Sequence, residues 1–327
     1  MVRPVIQMNA WRKRKRHIMI FFIFLVSNIG GCLTPIGDPP LLMGFSRGVG
    51  FTWSLHLLPL FLLNAAVLLT VFYFIDRKAY HTDITLGYRP DISKAGVVAR
   101  LRGAHNIIFM VMIVIAVILS GVLPKLPIFQ NADGTTAGIH IFGEVTLTWT
   151  AIIECVIILM AAWASFKTTP KKIRRKNHFT WNAIEEVAVL FIGIFITMQP
   201  ALVILREVSQ SMNELSAFKM FWMTGSLSSC LDNTPTYLVF LTMAGAQGAA
   251  AGIQTSLGIV PQKVLMAVSA GAVFMGANTY IGNAPNFMVK SISDENGIRM
   301  PSFFGYIGWS LCILIPVFLL DSVLFFL

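Results

Sequence analysis

Residues Ser27 to Pro40 read S-N-I-G-G-C-L-T-P-I-G-D-P-P, and the rest of the chain is understood outward from them. The stretch cuts into the apolar run Ile18–Val26 with three glycines, three prolines, an Asn, a Thr and an Asp. A helix facing lipid does not carry such a break, because each backbone group left unpaired in hydrocarbon costs several kcal/mol. A break at membrane depth is tolerated where it is packed in protein or lines a wet cavity. Half-helices ending on one aim N–H dipoles, carbonyls and side chains at an ion or substrate. The stretch reads as half of a transport site.

Composition agrees. Hydrophobic residues make up 56% of the 327 and charged residues 12%, where a soluble chain carries about a quarter charged. Mean hydropathy is +0.72, and several apolar runs reach the ~20 residues that span a bilayer. The expected class is an all-α polytopic membrane protein. The net charge of +10 does not point to nucleic acid, because 18 of the 25 Lys and Arg lie in three segments, 1–17, 77–105 and 167–176. That is the positive-inside pattern of a multi-pass protein of the cell (inner) membrane. Its partner is the lipid bilayer.

Cys32, Cys155, Cys230 and Cys312 have no metal-binding spacing and read as buried small hydrophobes, with no disulfide framework. Basic residues, Ile18–Val26 and then Ile29-Gly30-Gly31-Cys32 mimic a signal with a lipid-attachment cysteine. The residues after Cys32 run on into more membrane-type sequence instead.

Along the chain, Ile18 to about Gly44 is a first, broken span, and Phe51–Ile75 a continuous second one carrying Pro59 and Asn64. The polar segment 77–105 is inside by its charge. Asn106–Leu123 goes out, a loop at 124–145 holds the turn signal Asn131-Ala132-Asp133-Gly134, Thr146–Phe166 returns, and 167–179 is inside again. Trp181–Leu205 crosses outward and 206–217 is a short polar helix on the outer surface. Lys219–Ala246 is broken at Ser228–Pro235. A Gly/Ala/Gln-rich link, 247–262, leads to Lys263–Gly276, a further break at Ala277–Asn286, and the last span, Phe303–Leu327.

The breaks repeat. Shifted by 245 residues, Thr34-Pro35-Ile36-Gly37-Asp38-Pro39-Pro40 lies over Thr279-Tyr280-Ile281-Gly282-Asn283-Ala284-Pro285. Both copies follow an apolar run and an Asn, and both precede a polar link and a long span with a mid-helix proline, Pro59 or Pro316. If Lys219–Ala246 crosses once the repeats are parallel; if it turns back at Asp232-Asn233 they are inverted. The break in its middle favours the hairpin, and inverted repeats meeting at the midplane are a common transporter plan. The expected organisation is one transmembrane domain over 1–327. In it, 1–105 is the remainder of the first repeat, 106–179 connecting helices and a basic loop, and 180–327 the second repeat.

Asp38 at bilayer depth needs a partner, a wet cavity or a proton, since an Asp at a helix centre costs roughly 2.5–3.5 kcal/mol. One reading is a carboxylate that alternately holds a proton and a small cation, because desolvation favours a neutral acid and a nearby cation favours its anion. The other is a cap on the half-helix after Pro39-Pro40. Asp232, Asn233 and Thr234 offer hard oxygen ligands suited to Na⁺, and Asp-Asn-Thr-Pro is equally an ordinary helix start. Asn28, Thr34, Asn278, Thr279 and Asn283 either complete a coordination shell or satisfy backbone freed by the glycines. Glu185 and Glu186 diverge by ~100° on a helix; they suit its N-terminal dipole, or one serves a proton path. Glu154 has no evident partner, and Asp321, six residues from the end, reads as near the surface.

The motifs S-N-I-G-G-C-L-T-P-I-G-D-P-P, L-D-N-T-P-T-Y-L and G-A-N-T-Y-I-G-N-A-P-N resemble those of the NhaD-type sodium/proton antiporters. Their wider ion-transporter superfamily also holds citrate and dicarboxylate carriers and arsenite permeases. The resemblance covers nearly the whole chain. It implies inverted repeats, each with a re-entrant hairpin and a discontinuous helix, whose tips meet at a midplane ion site. It also implies a homodimer. By it, Asn28, Thr34 and Asp38 belong to the first discontinuous helix, Asp232, Asn233 and Thr234 to the hairpin tip, and Asn278, Thr279 and Asn283 to the second discontinuous helix. Family members carry an Asp-Asn hairpin in each repeat; here only the second is present, and the first would lie upstream of Met1.

The expected function is therefore secondary active transport, Na⁺ (or Li⁺)/H⁺ antiport by alternating access. Na⁺ would be held by Asp38, Asp232 and Asn233, and no cofactor is needed beyond the transported ions. A citrate or other carboxylate carrier is the alternative, which the absence of Arg from all three breaks weakens. A non-transporting truncated membrane subunit is the alternative of another class. No nucleophile–base pair, phosphate loop or metal cluster suggests an enzyme.

Overall fold

The computed structural model describes residues 2–89, 103–131, 136–142, 145–176 and 216–327, with scattered positions between 181 and 207. Outside the described residues lie 90–102 of the polar segment, the turn at Ala132-Asp133-Gly134, residues 177–179, Glu186, and most of the expected Trp181–Leu205 span and 206–217 helix.

In chain order the described helices begin with α1 (Val2–Met8), α2 (Arg16–Leu25), α3 (Pro39–Ser46) and α4 (Leu58–Thr85). Next come α5 (Asn106–Val122), α6 (Trp149–Thr168), α7 (Lys171–Lys176) and α8 (Ala217–Cys230). The last are α9 (Asn233–Ala246), α10 (Gln262–Met275), α11 (Ala284–Glu295) and α12 (Phe303–Asp321). Two antiparallel ribbons join them, β1 (Gly138–Phe142) with β2 (Val145–Thr148), and β3 (Ile253–Thr255) with β4 (Gly258–Val260). Among the described residues, Arg16–Leu33, Phe51–Thr85, Trp149–Thr168 and Phe303–Phe326 are long and apolar enough to cross a membrane. The protein is an all-α polytopic membrane protein.

Two compact units are present, Met1–Ala95 with Ile196–Leu327, and Gly96–Phe195. The first contains all three breaks. Its centre is α10, a helix apolar on every side, in which Val264, Leu265 and all of Ala267–Met275 are buried. A helix of that kind belongs in a protein core. Small residues bring α8 against it: a Cβ on Gly271 would stand 2.7 Å from the Phe221 carbonyl oxygen, and one on Gly225 would strike the Met275 sulfur. Close backbone approach through small residues is how membrane helices associate without a hydrophobic driving force between them.

The contacts determine chain direction. Helix α8 runs parallel to α10, since Phe221 lies at Gly271 and Gly225 at Met275. Helix α9 runs the other way, ending with Gly245 against Leu257 and Gly258, just ahead of α10. So α8 and α9 form a hairpin with its tip at Leu231-Asp232. Each is 14 residues long, about 21 Å at ~1.5 Å per residue and short of the ~30 Å hydrocarbon core. The hairpin is re-entrant.

The two discontinuous helices run antiparallel. The first consists of α2, a 3₁₀ turn at Ile29–Leu33, an extended stretch and α3; the second of α10, a 3₁₀ turn at Gly276–Asn278, an extended stretch and α11. At one end Arg16 Nε, opening α2, donates to the Arg299 carbonyl beyond α11 at 2.6 Å. At the other, the Ser256 amide, ahead of α10, donates to the Arg47 carbonyl beyond α3 at 2.7 Å. The expected inversion is present.

Local conformation is duplicated at the breaks. Thr34 (φ −142°, ψ 148°) matches Thr279 (−135°, 168°), and Asp38 (−148°, 137°) matches Asn283 (−154°, 134°). A Cβ on Gly31 would lie 2.6 Å from the Gly37 carbonyl oxygen, and one on Gly282 would lie 2.6 Å from that of Gly276. Gly31 and Gly276, like Gly37 and Gly282, are related by the same 245-residue shift, so each break is a loop closed by glycine-on-glycine contact. Helix α11 is one turn longer than α3, 12 residues against 8, which moves the register of the following turns to 249: Gly48 and Gly297 both have positive φ, 100° and 75°.

Several expectations are corrected. Pro59 is not mid-helix; a 3₁₀ turn occupies Phe51–Leu57 and Pro59 falls in the first turn of α4, where its missing N–H costs nothing. Pro316 does lie inside α12. Helix α4 also continues past the apolar run to Thr85, into the polar segment, because Arg12 gives its acids a buried partner. Arg12 Nη1 donates to Asp76 Oδ1 at 2.6 Å and its Nε lies 3.8 Å from Asp83 Oδ2. The Arg14 amide donates to Asp83, and His17 Nε2 meets Asp76 Oδ1 at 2.8 Å. Removing one member of a buried pair leaves its partner uncompensated at about 3–5 kcal/mol. Arg12→Ala is thus expected to lower the thermal midpoint of the detergent-solubilised protein clearly, while Lys13→Ala leaves it in place. The link 247–262 contains the unforeseen β3–β4 ribbon, whose Ser256 grips the end of α3. Of the cysteines only Cys32 is buried; Cys155, Cys230 and Cys312 are exposed, as a membrane helix turns small apolar residues to lipid as readily as to its neighbours.

In the second unit α5 and α6 form a hairpin. Ser165 Oγ near the end of α6 donates to Asn106 Oδ1 at the start of α5 at 2.6 Å. Ser120 of α5, whose hydroxyl donates to the Val117 carbonyl at 2.9 Å, is the polar neighbour of Glu154 on α6 that the sequence left unnamed. Outward-facing Ile108, Met110, Leu159, Met160 and Trp163 present an apolar belt.

Candidate functional site

Asp38 is the convergence point. It precedes α3 with extended backbone and makes no capping bond to its own helix, which removes the reading of it as a simple cap. The carboxylate turns instead to the other repeat: Asn233 Nδ2 donates to Oδ2 at 3.1 Å and Asn283 Nδ2 to Oδ1 at 3.3 Å. Asp38 is 3% exposed and Asn233 and Asn283 are equally buried. Among the described residues, none of the ion pairs involves Asp38. A buried carboxylate held only by neutral amides is an electrostatic demand for a cation or a proton.

Three helix N-termini meet here. Asp38, Asp232 and Asn283 are the residues immediately before α3, α9 and α11. Each terminus brings unpaired N–H groups and the positive end of a helix dipole. The opposing ends, of α2, α8 and α10, bring unpaired carbonyls, and most of the remaining polar side chains serve those. Asn28 Nδ2 donates to the Ile23 carbonyl at 2.8 Å and to Asn286 Oδ1 at 2.7 Å, while its Oδ1 accepts from Asn283 at 3.0 Å. Thr279 Oγ1 donates to the Ser229 carbonyl at 2.6 Å, and Asn278 Nδ2 to Ser229 Oγ at 2.9 Å.

The structure thus divides the expected site residues. Asn28, Asp38, Asn233 and Asn283 form one hydrogen-bonded cluster. Thr234 adjoins it, its Oγ1 donating to Asn233 Oδ1 at 3.4 Å. Asn278 and Thr279 tie the second break to the hairpin. Asp232 is half-buried and caps α9, its Oδ1 accepting from the Thr234 amide at 2.9 Å, yet it is near enough for its charge to act on Asp38. Thr34 is exposed, and among the described residues its hydroxyl makes no hydrogen bond; its counterpart Thr279 is buried because the α8–α9 hairpin lies against it. Glu185 belongs to the second unit and is exposed there, and Glu186 lies outside the described residues.

Asn286 was missed by the sequence reading. It donates to the Gly276 and Thr279 carbonyls, both at 2.8 Å, and accepts from Asn28, joining the two breaks. Its signal was present as the final Asn of G-A-N-T-Y-I-G-N-A-P-N, three residues beyond Asn283 and so on the same helix face. Asp321 is the plain correction: it is 0% exposed, not near the surface. The π-helical turn Ser322–Phe326 folds on past it and packs Phe326 against Phe221.

Inverted discontinuous helices, a re-entrant hairpin and a buried carboxylate where their tips meet define a membrane transporter. The family model described as "Putative citrate transport" matches residues 1–326. The chain belongs to this family and is a multi-pass transporter of the citrate-transport type. No curated protein and no solved structure matches it.

Proposed function

We propose that this chain is a Na⁺ (or Li⁺)/H⁺ antiporter of the cell membrane, in which Asp38 holds a proton and a small cation alternately as the site opens to either side. The observation that carries this is the Asp38 carboxylate, buried, bonded by two neutral amides and lacking an ion-pair partner among the described residues. A cation at Oδ1 or Oδ2 would compensate that charge, and so would a proton; the two exclude each other, which is the coupling. Asp232, close by, adds to the attraction for a cation. The inverted repeats supply two related halves to exchange access.

A second reading is a carrier for citrate or another carboxylate. It is favoured by the three helix N-termini, which form an anion-seeking surface, and by the family's description. In that reading Asp38 holds the coupling cation beside the anion.

Everted vesicles containing the full chain test both. With an acid-inside ΔpH followed by a pH-sensitive dye, NaCl and LiCl added outside, but not choline chloride, are expected to collapse the gradient. Uptake of labelled citrate without Na⁺- or Li⁺-linked proton movement would replace the antiporter with the carboxylate carrier. Neither signal from well-inserted protein would overturn both and leave a non-transporting membrane subunit.

A further inference from the structure

Outside the Asp38 cluster, and unlike Asp83 with its Arg12 partner, a further buried carboxyl has no ion pair among the described residues. Asp321 closes α12 and Asn64 lies on α4, both within candidate membrane spans and both 0% exposed. Asn64 Nδ2 donates to Asp321 Oδ2 at 2.7 Å and to the Leu60 carbonyl at 2.9 Å, which uses both amide hydrogens. The remaining oxygens, Asp321 Oδ1 and Asn64 Oδ1, are buried and unpartnered. Among the described residues none of the ion pairs involves Asp321. The side chain that acts on it is Asn64, and Phe326 of the adjoining turn packs, tilted, against Phe221 of α8.

Orphaned buried acceptors are costly, and here there are two on adjacent planar groups. We infer that Asp321 and Asn64 form a second proton-binding site, a carboxylic acid–amide pair with the proton on Asp321 Oδ1. One of the two parallel bonds of such a pair is already in place. A single proton on Oδ1 supplies the missing donor, and Asn64 Oδ1 is its vacant acceptor. Ligand count favours the proton over a metal ion, because hard cations take more oxygens than this pair presents. No cluster of three or more His, Cys, Asp or Glu side chains placed to hold a metal is found among the described residues. The pair joins one long span of each repeat, so the proton clamps the repeats together, and its loss leaves a lone charge between them.

The inference does not depend on what Asp38 carries, and infrared spectroscopy of the full chain in lipid nanodiscs reads it directly. The wild-type minus Asp321→Asn difference at neutral pH is expected to contain a carboxylic acid C=O band that shifts in D₂O and survives NaCl or LiCl. Asp38 is common to both samples and cancels. Asparagine can donate and accept at the same places, so Asp321→Asn is expected to keep the wild-type thermal midpoint. A difference containing only carboxylate bands would overturn the inference, and an acid band that turns to carboxylate on adding salt would make this a metal-cation site instead. If Asp321→Asn does not fold, Asn64→Leu serves: the acid band is expected to move to the position of an unbonded acid, and an unmoved band or none at all overturns the pair.

Discussion

Asp38→Asn is expected to reduce Na⁺- and Li⁺-driven collapse of the vesicle ΔpH to the choline background. The substitution keeps the side chain's size and removes its charge. Without the charge only Asp232, half-buried and capping its own helix, draws a cation to the convergence of α3, α9 and α11, whose N-termini repel one. An amide also cannot be protonated near neutral pH, so both halves of the exchange are lost at once. The protein should still fold, at a cost of about 1–3 kcal/mol, because the new amide would set one N–H against the donors of Asn233 or Asn283 in place of a hydrogen bond. Asp232→Asn is the matched comparison. Its oxygen can still accept from the Thr234 amide, so the α9 cap survives and exchange should continue at reduced cation affinity. Undiminished exchange in Asp38→Asn, or loss confined to Asp232→Asn, would move the cation site away from Asp38.

Gly282→Ala should damage the molecule from the backbone side. An added Cβ would stand 2.6 Å from the Gly276 carbonyl oxygen and 2.7 Å from that of Ser228. Both are main-chain atoms, one inside the same break and one on the hairpin, so neither has a side-chain rotamer with which to retreat. Overpacking of this kind costs about 1–3 kcal/mol and sometimes more. The break must open, and opening it shifts Asn283 away from Asp38. A lower thermal midpoint together with lost exchange is expected, and Gly308→Ala, where a Cβ meets nothing within 4 Å, should show neither. A Gly282→Ala protein as stable and active as Gly308→Ala would mean that glycine contact does not hold the break closed.

Much of this architecture was legible in one dimension. Backbone polarity in hydrocarbon is so costly that glycines and prolines within apolar runs mark the breaks at Ser27–Pro40, Ser228–Pro235 and Ala277–Asn286 without reference to any neighbour. The 245-residue repeat read from the sequence is matched in the torsions of Thr34 with Thr279 and Asp38 with Asn283, because local conformation follows local sequence. Less followed for side chains: the same Thr is exposed in one copy and gripped by the α8–α9 hairpin in the other.

By itself, then, the sequence determined the class, the breaks and the duplication, all of which rest on short-range chemistry and on how each segment partitions between water and lipid. Only the tertiary structure decided that the repeats run antiparallel, that Asp38 turns to Asn233 and Asn283 while Asp232 caps its own helix, that Asn286 bridges the breaks, and that Asp321 is buried against Asn64. These pairs lie 195 to 258 residues apart. Such pairings come from helices choosing partners by shape in a medium where burial of apolar surface no longer discriminates between them, a choice that no local pattern of residues encodes.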